Sequence, residues 1–439
     1  MVMKRLLMAM VIVLVCCLTA TVVLAGGGGP PKNLIKGFFL KINPDHTAIF
    51  KKDVTGEEIS LKLSEDIKPE DIPMNRKVLV TLKTEGHEIT NEVKRISIMF
   101  IDLPVSKVIA LLVVGLIGGL LSGFIGSGGA FVLTPSMMSL GVPGAVAVAS
   151  NMCHKFPKAM VGAYKRWKYG QADVKLGLFM AASAIVGVQI GIQIQKYILD
   201  HWGNAGSNLY VSLMFVIILV VVGTYVFYDA FKLKKGGKEA EVTKLALALQ
   251  KINLPPMIHF KQAGITISIW FTIPVGVATG MLAATIAVGG FIGVPGLIYV
   301  IGASAVVASA TELVIAFVMG MWGSIQWGLS GLIDIRLTLL ILAASLIGVQ
   351  LGALGTTYVK DYMIKIVMGA VMLIVSVSRG AKIPAYLADL GLRPPLTPQT
   401  AALYDAISFW ALVAALGAAG IIISAAMIRG MLQARAEGL

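Results

Sequence analysis

The chain has 439 residues, with 37 Lys and Arg against 23 Asp and Glu for a formal charge of +14, yet only 14% of its residues are charged and 57% are hydrophobic. With a mean hydropathy of +0.84, this lies far from the roughly 25% charged composition of soluble domains, and it excludes a wholly soluble enzyme, intrinsic disorder and a collagen-like repeat. Cys16, Cys17 and Cys153 offer neither a disulfide framework nor a zinc spacing.

In chain order, Lys4 and Arg5 precede an apolar stretch over residues 6–25 that closes on Val23-Leu24-Ala25 and runs into four glycines and Pro30-Pro31. These are the three parts of a secretory signal, and the stretch is also long enough to remain as an N-terminal membrane anchor. Either way residues 1–25 predict export of the segment that comes next in the chain. Cys16 and Cys17 lack the preceding small residue that lipid attachment requires.

Residues 26–103 change character. The runs Gly37-Phe38-Phe39-Leu40-Lys41, Glu58-Ile59-Ser60-Leu61-Lys62 and Lys77-Val78-Leu79-Val80-Thr81-Leu82 alternate with the period of two that half-buried strands require. They predict a small extracytoplasmic β domain, a barrel or a sandwich. Its carboxylates, among them Asp45, Asp53, Glu57, Glu58, Glu65, Asp66, Glu70 and Asp71, are scattered through turns without a calcium-loop spacing and read as solvated surface.

Apolar segments follow at 108–125, 130–140, 145–164, 176–194 and 209–231, then a basic loop at 232–263, then segments at 265–287, 291–301, 305–322, 337–359, 362–377 and 406–428. Segments 130–140 and 291–301 are too short to cross as straight helices, because a residue adds about 1.5 Å and the hydrocarbon is about 30 Å thick. They are expected to be half-helices or re-entrant. Shifting the chain by 161 sets Asp173-Val174-Lys175-Leu176 on Asp334-Ile335-Arg336-Leu337 and Gly187-Val188-Gln189-Ile190-Gly191 on Gly348-Val349-Gln350-Leu351-Gly352, with eight of twenty positions identical over 172–191. At 160, Gly129 meets Gly289 and Pro135 meets Pro295. This is the mark of a duplicated unit.

Lys165, Arg166, Lys168 and Lys175, and then seven lysines from Lys232 to Lys261, mark cytoplasmic loops by the positive-inside rule. Five passes separate the exported domain from the second loop, so the two units are expected to be antiparallel. The fold class that results is an all-α polytopic membrane bundle of two inverted repeats with broken or re-entrant helices, plus the small N-terminal extracytoplasmic β domain. The first repeat covers 104–231 and the second 264–378. Residues 379–405 form an extracytoplasmic loop, against the charge rule at Arg379, Lys382 and Arg393, and 406–439 form a final helix and a cytoplasmic tail.

Inverted repeats with matching short, glycine-broken segments point to a secondary transporter with its substrate near the midplane. Gly115, Gly118, Gly119 and Gly123 have the spacing of close helix contacts. Gly126, Gly128, Gly129, Gly289 and Gly290 sit between apolar stretches, each group opening a short helix whose free amides favour an anion. In the third segment Asn151, His154, Lys155 and Lys158 recur at three and four residues and largely share a face beside Ser150. Ionisable groups at this depth mark a pathway or site, or else the lysines snorkel to the interface. The counterparts of Ser150 and Asn151 are Thr311 and Glu312, the only acidic residue between Ile265 and Gly331. Glu312 is a candidate proton carrier or the partner of a first-repeat lysine, and His154 could exchange protons near neutrality. Gln189 and Gln350 suit interhelical hydrogen bonds, and Cys153 packing.

The stretch from Gly115 to Pro135, with Leu140-Gly141-Val142-Pro143, Ala147-Val148-Ala149-Ser150-Asn151 and the weaker copy Val288-Gly289-Gly290-Phe291-Ile292-Gly293-Val294-Pro295, resembles the TauE/SafE family of sulfite exporter-like membrane proteins over about residues 108–377. The resemblance implies movement of sulfite, sulfoacetate or another small sulfur-containing or organic anion across the plasma membrane. It puts Gly126, Gly128, Gly129 and Pro135 on the family turn, and Ser150 and Asn151 on the next helix. The β domain and His154, Lys155 and Lys158 lie outside the family pattern.

The function expected is therefore a secondary transporter of a small anion, sulfite or a related organosulfonate, with the substrate held by Gly126, Gly128, Gly129, Ser150, Asn151, His154, Lys155, Gly289, Gly290, Thr311 and Glu312. The alternative is a membrane-anchored receptor or assembly scaffold whose β domain binds a periplasmic partner, a reading that non-helical backbone at membrane depth disfavours. Paired carboxylates, metal spacing and a nucleophile with its base are all lacking in the sequence, so no enzyme, cofactor or metal is expected. The basic excess lies beside the membrane, where orientation and anionic lipid explain it without nucleic acid. A homo-oligomer is compatible with this reading.

Overall fold

The computed structural model describes residues 34–436 except 53–54, 66, 68, 70–71, 73, 75–76, 86–87, 99–100, 127–128, 237–242 and 360. The expected leader with Cys16 and Cys17, the carboxylates Asp53, Asp66, Glu70 and Asp71, and Gly128 lie outside the described residues. The chain divides into two compact units, residues 1–97 and 98–439.

The first unit holds β1 (Leu34–Ile42), β2 (Thr47–Lys52), β3 (Glu58–Leu63), β4 (Lys77–Glu85) and β5 (Glu88–Ile98). They close into a barrel in the order β1-β2-β3-β5-β4, with β1 pairing both β2 and β4 and with β3 and β5 parallel. This is the strand order of the five-stranded Greek-key barrels of the OB class. Alternation supplies the core: Phe39, Phe50, Leu61, Val78, Val80 and Val93 point inward, and the Phe39 and Phe50 rings meet edge-on at 5.1 Å. Of the scattered carboxylates, Asp45 caps the β1–β2 turn by accepting from the Thr47 hydroxyl at 2.6 Å, a bond that holds its carboxyl below the usual range. Groups of His, Cys, Asp and Glu able to hold a metal are absent among the described residues.

The second unit is helical: α1 (Val105–Ile125), α2 (Ala130–Ser139), α3 (Gly144–Lys168), α4 (Val174–Leu199), α5 (His201–Lys232), α6 (Lys244–Gln250), α7 (Thr272–Ile286), α8 (Gly290–Gly296), α9 (Ala305–Leu329), α10 (Ile335–Gly355), α11 (Asp361–Asp389) and α12 (Pro398–Ala436). Helices α4 and α5 are one run broken at Gly203, whose φ is 64°. Eight helices among the described residues are long and apolar enough to span a bilayer: α1, α4, α5, α7 with its preceding turn, α9, α10, α11 and α12. At 25 residues α3 is long enough too, but His154, Lys155, Lys158, Lys165 and Arg166 make it polar. As expected, α2 is short, and α8 continues for only one π-helical turn, Leu297–Ile301.

Three boundaries differ from those the sequence predicts. Residues 265–268, expected to open a membrane helix, form strand β7 (Ile265–Ser268), paired with β6 (Met257–Phe260), because the alternating β-branched run finds a partner in the linker. Helix α11 runs twelve residues past Val377 to Asp389 before Gly391 ends it with a φ of 70°, and α12 begins at Pro398. The loop expected over 379–405 therefore shrinks to residues 390–397.

The register of 161 reappears in the packing. Helix α1 packs on α10 as α7 packs on α4, and α3 packs on α9. Glycines make these approaches close: a Cβ on Gly348 would lie 2.1 Å from Leu116 O, and one on Gly187 would lie 2.0 Å from Val277 O. Asp173 and Asp334 begin α4 and α10, where each carboxylate accepts a backbone amide of the first turn, from Leu176 at 3.0 Å and from Arg336 at 3.0 Å.

Candidate functional site in the membrane unit

Helix α1 ends at Gly126 and α7 at Ala287, 161 positions on, and both end residues are left-handed, with φ of 79° and 63°. At Gly126 only glycine fits, since a Cβ would lie 1.8 Å from Ser309 O. Gly129 precedes α2 with a φ of 62°, and Gly289 and Gly290 open α8. These turns bring the two half-helices together at their first residues: the Phe131 and Phe291 rings, both fully buried, lie 4.3 Å apart. Phenyl rings thus meet beside the glycine turns, where the sequence reading puts a substrate between free amides.

The polar groups lie beside these rings, on α3 and α9. Asn151 Nδ2 donates to Ala130 O at 3.1 Å and to Thr134 Oγ1 at 2.7 Å, so its donors fasten α2, while its Oδ1 makes no hydrogen bond. His154 Nδ1 donates to Asn151 O at 2.7 Å, which leaves Nε2 to accept from Lys158 Nζ at 3.1 Å. Lys155 and Lys158 are fully buried, so neither snorkels. Lys155 Nζ and both carboxylate oxygens of Glu312 are buried without a hydrogen bond, and the two groups attract each other electrostatically. Glu312 lies directly against α8, for a Cβ on Gly293 would fall 2.1 Å from Oε2. Asn151 thus serves α2 while Glu312, its counterpart, faces α8.

Ser150 and Thr311 serve a different end. Ser150 Oγ accepts the Asp334 amide at 2.9 Å, and Thr311 Oγ1 accepts the Asp173 amide at 3.0 Å. They join α3 to α10 and α9 to α4, and the structure sets them at these junctions instead of in the orphaned cluster.

Three buried cations escape a reading of the sequence, in which Arg166 and Arg379 count only as loop charges. Arg166 donates to Gly123 O at 3.1 Å, Val306 O at 2.8 Å and Ser309 Oγ at 2.8 Å, tying the end of α1 to the start of α9. Lys365 Nζ and Tyr299 OH both donate to Asp229 Oδ2, at 2.6 and 2.8 Å, which pins the turn after α8 to α5 and α11. Arg379 contacts Ser139, the last residue of α2. The signal available is position: Arg166 falls on the buried Trp327 when the chain is shifted by 161. From the linker, Thr243 Oγ1 and Gln250 Nε2 donate to Tyr299 O and Ile301 O at 2.6 and 2.8 Å, satisfying carbonyls at the end of the short helix.

A bundle of eight apolar spans with two short helices meeting inside it, and an unsatisfied ammonium and carboxylate buried beside them, defines a multi-pass membrane transporter. The family model described as sulfite exporter TauE/SafE matches residues 111–379, and the chain belongs to this family. It is similar to three proteins of Bacillus subtilis (strain 168). Over 56% of this chain and 89% of the relative it is 25% identical to the probable membrane transporter protein YdhB. It is 24% identical to the probable membrane transporter protein YunE over 61% of this chain and 95% of the relative, and 23% identical to the probable membrane transporter protein YjnA over 61% and 97%. No solved structure matches the chain.

Proposed function

We propose that the protein moves a small oxyanion, sulfite or a related sulfur-containing anion, across the plasma membrane by alternating access of two inverted repeats, residues 104–231 and 264–378. In this reading the β domain is extracytoplasmic and the C-terminus cytoplasmic. The observation that carries it is the pair Lys155 and Glu312, buried without hydrogen bonds where α3 and α9 flank the half-helices. Isolated charges in such surroundings are costly, and they persist where a ligand or proton completes them. The reciprocal contacts at an offset of 161 support the repeat.

The chemistry suggests how the anion is coupled. With Glu312 ionised, Lys155 is its counter-ion. When Glu312 takes up a proton, the ammonium charge is free for an oxyanion, with the glycine turns at Gly126, Gly129, Gly289 and Gly290 supplying backbone beside it. One proton and one monovalent anion then replace the internal pair without a change in the charge of the cavity. Asn151 and His154 keep α2 and Lys158 in place around this exchange, and Ser150 and Thr311 are the joints on which the helices turn.

The test is flux of labelled sulfite, thiosulfate, sulfate and sulfoacetate in vesicles of known orientation, with Lys155→Met as the control. Saturable flux of at least one anion, lost in the variant, is expected. Equal flux in the variant removes Lys155 from the pathway.

A further inference from the structure

Arg379 is fully buried on α11 and shares none of its hydrogen bonds with Lys155 or Glu312. Its Nη2 donates to Ser139 Oγ at 2.7 Å, Ser408 Oγ at 3.1 Å and Ser378 Oγ at 3.4 Å, which brings α2, α12 and α11 together around one guanidinium. Its Nε and Nη1 are buried and make no hydrogen bond, so the N–H of Nε and both of Nη1 are unused. Among the described residues no Asp or Glu forms an ion pair with it. The carboxylate within reach along α12 is Asp405, one turn from Ser408, and it is taken by Lys382, one turn from Arg379.

A cation at the C-terminal end of α2 is favoured by the helix dipole, which accounts for an arginine here but not for donors left without acceptors. Ser378 Oγ donates to Ser408 O at 2.8 Å, which leaves the hydroxyls of Ser139 and Ser408 to turn and donate; with a guanidinium that cannot lose its proton, they are the donor set that recognises oxyanions. Burial excludes a bulky ligand. The distance along α2 also separates this position from the half-helix turns, since Ser139 is ten residues beyond Gly129 and each residue rises about 1.5 Å.

We propose that Arg379, with Ser139, Ser378 and Ser408, forms a second binding site, for a small inorganic oxyanion, at the end of α2 remote from the half-helix turns. The site itself stands apart from the transport reading, while a count of two anions per chain rests on that reading. An anion there would satisfy Nε and Nη1 and supply the counter-charge that the protein does not. It would also bridge α2, α11 and α12, so its occupancy would tighten the packing of the last helix against the half-helix.

The test is equilibrium binding of labelled sulfite, kept under argon, to the full-length protein in nanodiscs, read as anions bound per chain. Two per chain are expected in the wild type. Arg379→Gln should lose one, and the double variant Ser139→Ala with Ser408→Ala should keep two while weakening one of them about tenfold, the equivalent of about 1.4 kcal/mol. Lys155→Met should lose the other anion and keep this one. Should Arg379→Gln not fold, the double serine variant decides the matter by itself. Unaltered stoichiometry and affinity in the Arg379 and serine variants, or no bound sulfite in the wild type, would overturn the proposal. Loss in Arg379→Gln with no change in Lys155→Met supports it and removes instead the role of Lys155 in anion binding.

Discussion

The backbone amide of Asp334 donates to Ser150 Oγ at 2.9 Å, and the same bond recurs 161 positions away in both partners, from Asp173 to Thr311 Oγ1 at 3.0 Å. Each bond joins the segment before the linker to the segment after it, so α3 carries the start of α10 as α9 carries the start of α4. Removing either hydroxyl leaves a buried amide without an acceptor. Ser150→Ala and Thr311→Ala are each expected to cost about 1–3 kcal/mol, while Thr311→Ser is nearly neutral. Thermal unfolding in detergent measures this, and equal midpoints for Thr311→Ala and Thr311→Ser would contradict it.

Gly293 leaves the space that the Glu312 carboxylate occupies. Gly293→Ala places a methyl 2.1 Å from Glu312 Oε2 and is expected to destabilise by about 1–3 kcal/mol through overpacking. Glu312→Ala removes the obstruction, so the double variant should recover most of that loss. A double-mutant cycle on the same unfolding assay reads the coupling, and strict additivity would show that the two do not touch.

Proton coupling through Glu312 has its own signature. Wild-type anion flux in proteoliposomes should rise when a pH gradient is imposed in the direction of transport, because the carboxylate must take up a proton before Lys155 is released to the anion. Glu312→Gln holds a permanently neutral side chain, so its flux should ignore the gradient. A gradient response that survives the substitution assigns coupling elsewhere.

The two left-handed turns differ in what occupies them. Ala287 sits at a φ of 63°, a region that costs a residue with a Cβ roughly 1–2 kcal/mol. Ala287→Gly should stabilise by about 0.5–1 kcal/mol once the entropy of the added glycine is counted. The reverse change at the equivalent place, Gly126→Ala, drives a Cβ to 1.8 Å from Ser309 O and should cost at least about 2 kcal/mol. Chemical denaturation of both variants shows whether the signs are opposite.

Much of the helical frame is legible in the sequence because glycines that allow helices to touch cannot drift without a clash. The offset of 161 therefore survives in Gly187 and Gly348 and in the aspartates that begin α4 and α10. The half-helices are legible from length alone. The burial of Arg166 and Arg379 is not, because a charge count along a loop carries no information about which helix will close over it. Phe131 and Phe291 are also silent, since an apolar residue beside a glycine turn looks the same whether it faces lipid or its own counterpart. Asn151 stands out in the sequence, but its amide serves α2, a role that only the contact with Thr134 reveals.

The far ends of the two short helices are secured by unrelated parts. Thr243 and Gln250 of the segment joining the halves grip the end of α8, whereas Ser139 at the end of α2 is held by Arg379 from α11. The connecting segment braces α8 alone, and α2 is braced by a helix from later in the polypeptide. The two anchorages can therefore be altered one at a time, and a change that loosens the end of one short helix need not loosen the other.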